Sequence, residues 1–106
     1  MTYKVYMTET FKKEFDKLST SGKEAIGKIF LQLKENPFVG DAIKYKFFRE
    51  KRIKEKRLYY LIYENFAIVL VVASEGKKVQ QETINKTISL LPEFKKYVEK
   101  IFKQEN

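Results

Sequence analysis

The chain has 106 residues, no cysteine, no histidine and a formal net charge of +8 at pH 7. The missing residue types exclude cysteine- and histidine-based zinc sites, iron–sulfur clusters, a thiol nucleophile and imidazole acid–base chemistry. The excess of cations points to phosphate backbones or acidic proteins as partners, unless it is only a solvated, lysine-rich surface.

The length suits one domain over residues 1–106, large enough to bury roughly two-thirds of the surface that its unfolded form exposes. No apolar run is long enough to span a bilayer, and MTYKVYMTETFKKEF lacks the basic-then-apolar layout of a signal peptide. The expectation is a cytoplasmic protein with no membrane partner, no metal and no cofactor.

Tyr3 to Met7 alternates β-branched and aromatic residues, which predicts a short strand. Thr8 or Thr10 can cap a following helix that carries Phe11, Phe15 and Leu18 on one face. After the break at Ser19-Thr20-Ser21-Gly22, Ser21 and Glu24 have capping-box spacing for a second helix with Ile26, Ile29, Phe30 and Leu33 on one side. Asn36-Pro37 ends it, because the residue before a proline avoids the helical region.

Ile43, Tyr45 and Phe47 then alternate with Lys44 and Lys46, so this strand should bury one face and present a basic one. Phe48 breaks the pattern, and the dense charge over residues 49–56 suggests a bulge or a turn. In residues 57–63, Leu58, Tyr60 and Ile62 take one face and Arg57, Tyr59, Leu61 and Tyr63 the other. Glu64-Asn65 makes a tight turn, and residues 66–73 read as a central strand covered on both faces. Val79, Ile84, Ile88 and Leu91 suggest a helix broken at Pro92, and Phe94, Val98, Ile101 and Phe102 a last one. The result is an α+β fold: an N-terminal strand and helical hairpin packed on a small antiparallel β-sheet, with C-terminal helices.

The charge is concentrated. From Ile43 to Leu58 there are eight basic residues (Lys44, Lys46, Arg49, Lys51, Arg52, Lys54, Lys56, Arg57) and two acids, Glu50 and Glu55, giving +6 of the total +8. A surface that only keeps a protein in solution spreads its charge, so phosphate binding is favoured over a solvated strand face.

Three segments carry a family resemblance: LQLKENPFVG over residues 31–40, KRLYYLIYE over residues 56–64, and IVLVVASEGKK over residues 68–78. In order and spacing they resemble the RelE/ParE superfamily of toxins from type II toxin–antitoxin pairs. That superfamily has a similar L-x-x-N-P-x-x-G helix exit, a Y-R-L-x-Y-x-I strand and a following strand that ends near a small basic cluster. The archaeal RelE-like branch looks most similar, partly through Lys77-Lys78-Val79-Gln80-Gln81.

The resemblance implies either a ribosome-dependent mRNA endonuclease, as in RelE-like members, or a gyrase poison, as in ParE-like ones. RelE-type catalysis uses lysines and arginines rather than histidine. Arg57 matches the arginine that opens the R-L-x-Y strand, and Lys78 falls where a second arginine follows the last strand. The lysines of the preceding strand correspond only approximately to Arg49, Lys51 and Arg52. The resemblance thus makes Arg57 and Lys78 catalytic, with Arg52 or Lys51 completing the site. Lys44, Lys46, Arg49, Lys54, Lys56 and Lys77 would bind RNA. The family's assisting tyrosine aligns with Ile84, a departure that leaves Tyr59 or Tyr97 as substitutes or the activity weakened. The implied partners are a cognate antitoxin, the ribosome and mRNA.

Other readings stay open. Arg57 can instead form a salt bridge with Glu50 or Glu55. Tyr59 and Tyr63 can stack on bases or lie under the last helix. Gln80 and Gln81 read as ordinary helix-start residues. The terminal helix is amphipathic and can cover the sheet or the hairpin, or dock on a partner or membrane surface. A catalytically silent relative that binds nucleic acid is the third function in view, beside nuclease and gyrase poison.

Overall fold

The protein is described by a computed structural model over residues 2–76 and 80–105. Five strands form one sheet in the order β1-β5-β4-β3-β2: β1 (Lys4–Met7), β2 (Asp41–Ile43), β3 (Tyr45–Ile53), β4 (Lys56–Tyr63) and β5 (Ile68–Gly76). The antiparallel expectation holds for every pair except the first. Strand β1 runs parallel to β5, pairing Lys4 with Ile68 and Met7 with Val71, so the sheet is mixed. Between β1 and β2, the helical hairpin α1 (Glu9–Asp16) and α2 (Thr20–Glu35) carries the chain from one sheet edge to the other.

The caps come from short polar side chains. Thr8 Oγ1 accepts from the Phe11 amide at 3.1 Å, which makes it, and not Thr10, the cap of α1. Ser19 plays that part for α2, accepting from the Gly22 amide at 3.1 Å. The expected box of Ser21 and Glu24 therefore starts two residues inside the cap, within the first turn of the helix. Asn36 closes α2, and a 3-10 turn over Pro37–Val39 leads to Gly40. A Cβ on Gly40 would stand 2.4 Å from the Glu50 carbonyl oxygen and 2.6 Å from the Tyr60 hydroxyl, so only glycine fits there.

The sheet is covered on both faces. Helices α1 and α2 pack Phe11, Ile26, Ile29 and Leu33 against Leu58, Tyr60, Ile62, Val69 and Val71. On the other face, α3 (Gln80–Ser89) and α4 (Leu91–Glu105) bring Ile84 and Val98 against Phe48, Tyr59, Leu61, Ile68, Leu70 and Val72. The C-terminal helices thus cover the sheet rather than the hairpin. Pro92 opens α4 instead of breaking α3, in keeping with proline's tolerance of the first helical turn. Strand β5 lies inside the sheet with Ile68 to Val72 buried, as a central strand should. It starts at Ile68 because Glu64–Phe66 forms a 3-10 turn closed by Ala67 in the left-handed region at φ 52°.

Candidate nucleic-acid interface

Strand geometry divides the basic segment. β3 runs unbroken to Ile53, and the turn is the two-residue Lys54-Glu55 loop, with Lys54 at φ 55°. Successive side chains of a strand point to opposite faces. The register pairs Arg49 with Tyr60 and Lys51 with Leu58, on the α1/α2 face. It pairs Glu50 with Tyr59 and Arg52 with Arg57, on the α3/α4 face. Lys54 and Lys56 are exposed at the hairpin tip, and Lys44 and Lys46 are exposed at the far end of β3. Lys77 and Lys78 lie outside the described residues. The segment is not one basic face but two unlike ones.

Arg57 is held by side chains. Its guanidinium lies 3.8 Å from the Glu50 carboxylate, and the two side chains are only 11% and 13% exposed. Its Nη1 donates to Gln80 Oε1, and Gln80 Nε2 donates to Glu50 at 3.5 Å. Of the two carboxylate partners open in sequence, Glu50 is the one used, while Glu55 sits exposed in the turn. Arg52 stands directly opposite Arg57 on β3, and Glu75 opposite it on β5. Like charges across a strand pair repel, so the two carboxylates offset a local clash of arginines. Three buried atoms among the described residues lack a hydrogen-bond partner: Arg57 Nε, the Tyr59 hydroxyl and Glu75 Oε1. The other oxygen of Glu75 accepts from Thr83 on α3. Sequence reasoning placed Arg57 off the core because its face opposed Leu58. That face is a core too, since α3 and α4 close over it.

Arg49 is held by backbone. Nε donates to the Gly40 carbonyl at 3.0 Å, Nη1 to Lys46 at 2.8 Å and Nη2 to Phe38 at 3.4 Å, with the guanidinium 5.2 Å from the centre of the Phe38 ring. Beside it, the Tyr60 hydroxyl donates to the Pro37 carbonyl at 2.6 Å and accepts from the Gly40 amide at 3.1 Å. The helix exit and the R-L-x-Y strand, two of the motifs singled out in sequence, therefore meet in one hydrogen-bonded knot.

The tyrosines take unlike places. Tyr59 is fully buried, which rules it out as a base-stacking surface in this arrangement. Burial, then the carboxylates of Glu75 and Glu50, raise its pKa against the opposing pull of Arg57. Burial pushes Tyr63 up to about 12. Tyr97 is on α4, 37% exposed, with its hydroxyl 3.5 Å from the Met7 carbonyl. Ile84, at the position of the family tyrosine, is buried against the sheet, so a tyrosine there would have to displace packed neighbours.

Two features escaped the sequence reading. Gln80 does start α3, yet its side chain also bridges Arg57 and Glu50. Phe47, expected on a buried face, is 38% exposed. Tyr45 and Phe47 do share the α3/α4 face. The phase changes only after Phe47, where β3 passes the irregularity in its pairing with β2, so that Phe48 takes the core position.

No protein-family model matches the chain. No curated protein matches it either. Solved structures do. A mutant of the E. coli toxin RelE in the free state superposes with a TM-score of 0.73 at 20% identity, covering 86% of this chain and 99% of that one. The fold is that of the RelE toxins. RelBE2, a toxin–antitoxin complex from Mycobacterium tuberculosis, gives 0.64 at 21% identity, over 73% of this chain and 100% of the other. The archaeal RelE–RelB complex from Pyrococcus horikoshii gives 0.61 at 14% identity, over 74% and 98%. Within this RelE fold, Arg57 and Arg52 stand on adjacent strands of the sheet face that α3 and α4 cover.

Proposed function

We propose that the chain is the toxin of a type II toxin–antitoxin pair, a ribosome-dependent mRNA endonuclease held in check by a cognate antitoxin in the cytoplasm. The observation that carries the reading is the Arg52–Arg57 pair, two arginines directly opposite one another on paired strands of a RelE fold. Attack of a ribose 2′-hydroxyl on its neighbouring phosphate builds charge on the non-bridging oxygens. Fixed cations in a partly desolvated site stabilise that charge. Arg57 supplies a planar fork on a rigid strand, and a phosphate would take over the place that Glu50 and Gln80 now hold. Arg52 shares the face of Arg57, whereas Lys51 belongs to the other face, so Arg52 is the residue that completes the site. Lys78 remains in the proposal as the second cation.

A second reading is favoured by the closure of Arg57 beneath Gln80 and by the buried Ile84. In it the chain binds nucleic acid without cleaving it. Induction in a translating extract, with mRNA ends mapped by primer extension, separates the two. Discrete new ends that vanish in an Arg57→Ala, Lys78→Ala double variant are expected of the nuclease. Intact message with salt-dependent RNA binding would establish the silent binder. Growth arrest that survives the double variant, with no RNA binding, would point to a gyrase-directed toxin.

A further inference from the structure

The outer end of β3 holds an exposed aromatic stack that the Arg57 site does not use. The Tyr45 and Phe47 rings lie 5.1 Å apart and 5° from parallel. Tyr45 is half-buried and leans on the α3/α4 core, whereas Phe47 stays 38% exposed. Phe47 borders a groove of about 610 Å³ shared with Tyr63, Leu91 and Lys95. The Lys44 ammonium lies 5.7 Å from the centre of the Tyr45 ring, whereas that of Lys46 lies 5.5 Å from the Phe38 ring, on the α1/α2 side. Lys95 brings a second cation to the groove, which Glu64 and Glu99 also border.

We infer that Phe47, backed by Tyr45, is a stacking platform for an unpaired base of single-stranded RNA, with Lys44 and Lys95 taking the flanking phosphates. This rests on the RNA-directed reading above and adds a second contact to it. Every base has a π-face, and aromatic rings interleaved with cations along an open groove are how single strands are held without sequence readout. The other tyrosine considered for stacking beside Tyr63, Tyr59, is closed off under α3 and α4. Strand β3 also presents a free edge. Its pairing with β2 ends at Glu50, so from Lys51 to Ile53 nothing lies beyond it in the sheet among the described residues. Phe47 borders Ile62, five residues along β4 from Arg57, a separation of about 17 Å at about 3.3 Å per residue. A strand of a few nucleotides is long enough to span the two places.

The test uses single-stranded RNA of about eight nucleotides carrying 2-aminopurine, whose fluorescence is quenched on stacking. The variants are Phe47→Leu, which keeps apolar bulk but removes the π-face, Phe47→Trp, and Lys44→Ala with Lys95→Ala, each checked for unchanged thermal unfolding. Phe47→Leu should weaken binding about 5- to 150-fold and abolish the quench, with the salt slope unchanged. Phe47→Trp should restore both, and binding to duplex RNA should not respond. If wild-type protein binds with a slope that the lysine variant flattens, but Phe47→Leu binds and quenches like wild type, the platform is wrong and the RNA reading stands. Failure of the wild type to bind any RNA overturns both. If Phe47→Leu spares RNA binding and instead abolishes self-association in sedimentation, the stack is a contact between copies of the chain and the proposal falls.

Discussion

Arg49 and Arg57 belong to the same β-hairpin, eight positions apart in sequence and on opposite faces of it, yet they are held in opposite ways. Arg49 meets three backbone carbonyls and an aromatic ring, all fixed by the chain's own course around Pro37 and Gly40. Arg57 meets a carboxylate and an amide on side chains, and its Nε, 3.8 Å from that carboxylate, makes no hydrogen bond. Their tyrosine neighbours repeat the contrast. The Tyr60 hydroxyl is doubly bonded to backbone, and that of Tyr59 has no partner. Backbone partners cannot leave without unfolding a loop, whereas side-chain partners exchange by rotation. The α1/α2 face is therefore built to hold a shape, and the α3/α4 face is built to change partners.

Replacing Arg57 should break the second face most severely. Arg57→Ala is expected to raise the cleavage barrier by about 2–4 kcal/mol, by analogy with loss of one oxyanion-type donor. It should also lower stability by about 1–3 kcal/mol, because it leaves the Glu50 carboxylate buried with only the long hydrogen bond from Gln80. Adding Glu50→Gln removes that charge. The double variant should regain most of the stability in denaturant titration and none of the cleavage. A double variant that cleaves like wild type would make Arg57 a purely structural ion pair.

On the first face the order of effects reverses. Arg49→Ala should cost about 1.5–3 kcal/mol of stability, since a charged donor to several carbonyls is lost. Cleavage per folded molecule should hardly move. Tyr60→Phe should cost about 1 kcal/mol in the same titration by freeing the Pro37 carbonyl and Gly40 amide. If Arg49→Ala instead leaves stability alone and weakens RNA binding, the contrast between the two arginines is lost.

How much of this was legible in the sequence follows from which signals are local. Alternation in residues 57–63 and the continuous apolar run after Ala67 gave the strands, and the apolar stripes from Phe11 to Leu33 gave the hairpin. Periodicity reports which residues share a face, but not whether a second layer covers that face. Hence Arg57 was read as off the core, and Tyr59 was left between an open and a covered place, when α3 and α4 lie over both. Phe48 was legible as the break in the alternation, but not that the change of phase there would give it the core place and leave Phe47 at the surface. The basic count over residues 44–57 was sound as a charge, but a strand distributes charge by parity, which a sum along the chain conceals. Gln80 was invisible as a partner because its contact is made across 23 residues.

The smallest effect on stability is expected at Tyr59, and it is the most informative. A buried hydroxyl that makes no hydrogen bond of good geometry, with the Arg57 guanidinium beside it, has lost its water with little compensation. Tyr59→Phe then removes a penalty and at most a weak bond. Stability should be unchanged or rise slightly, against the loss expected for Tyr60→Phe one residue away. The alkaline limb adds a sign. A pKa raised in the folded state means that folding favours the neutral phenol, so this contribution is complete below pH 10 and is lost as pH climbs through the folded pKa. Tyr59→Phe should therefore resist alkaline unfolding better than wild type. Cleavage gives the other half of the answer. With Ile84 at the position of the family tyrosine, a Tyr59 that opens toward Arg57 during reaction would make Tyr59→Phe inactive while fully folded. Cleavage at the wild-type rate would show that the unpaired hydroxyl is only a gap in the packing, and that the cations act without any tyrosine from this strand.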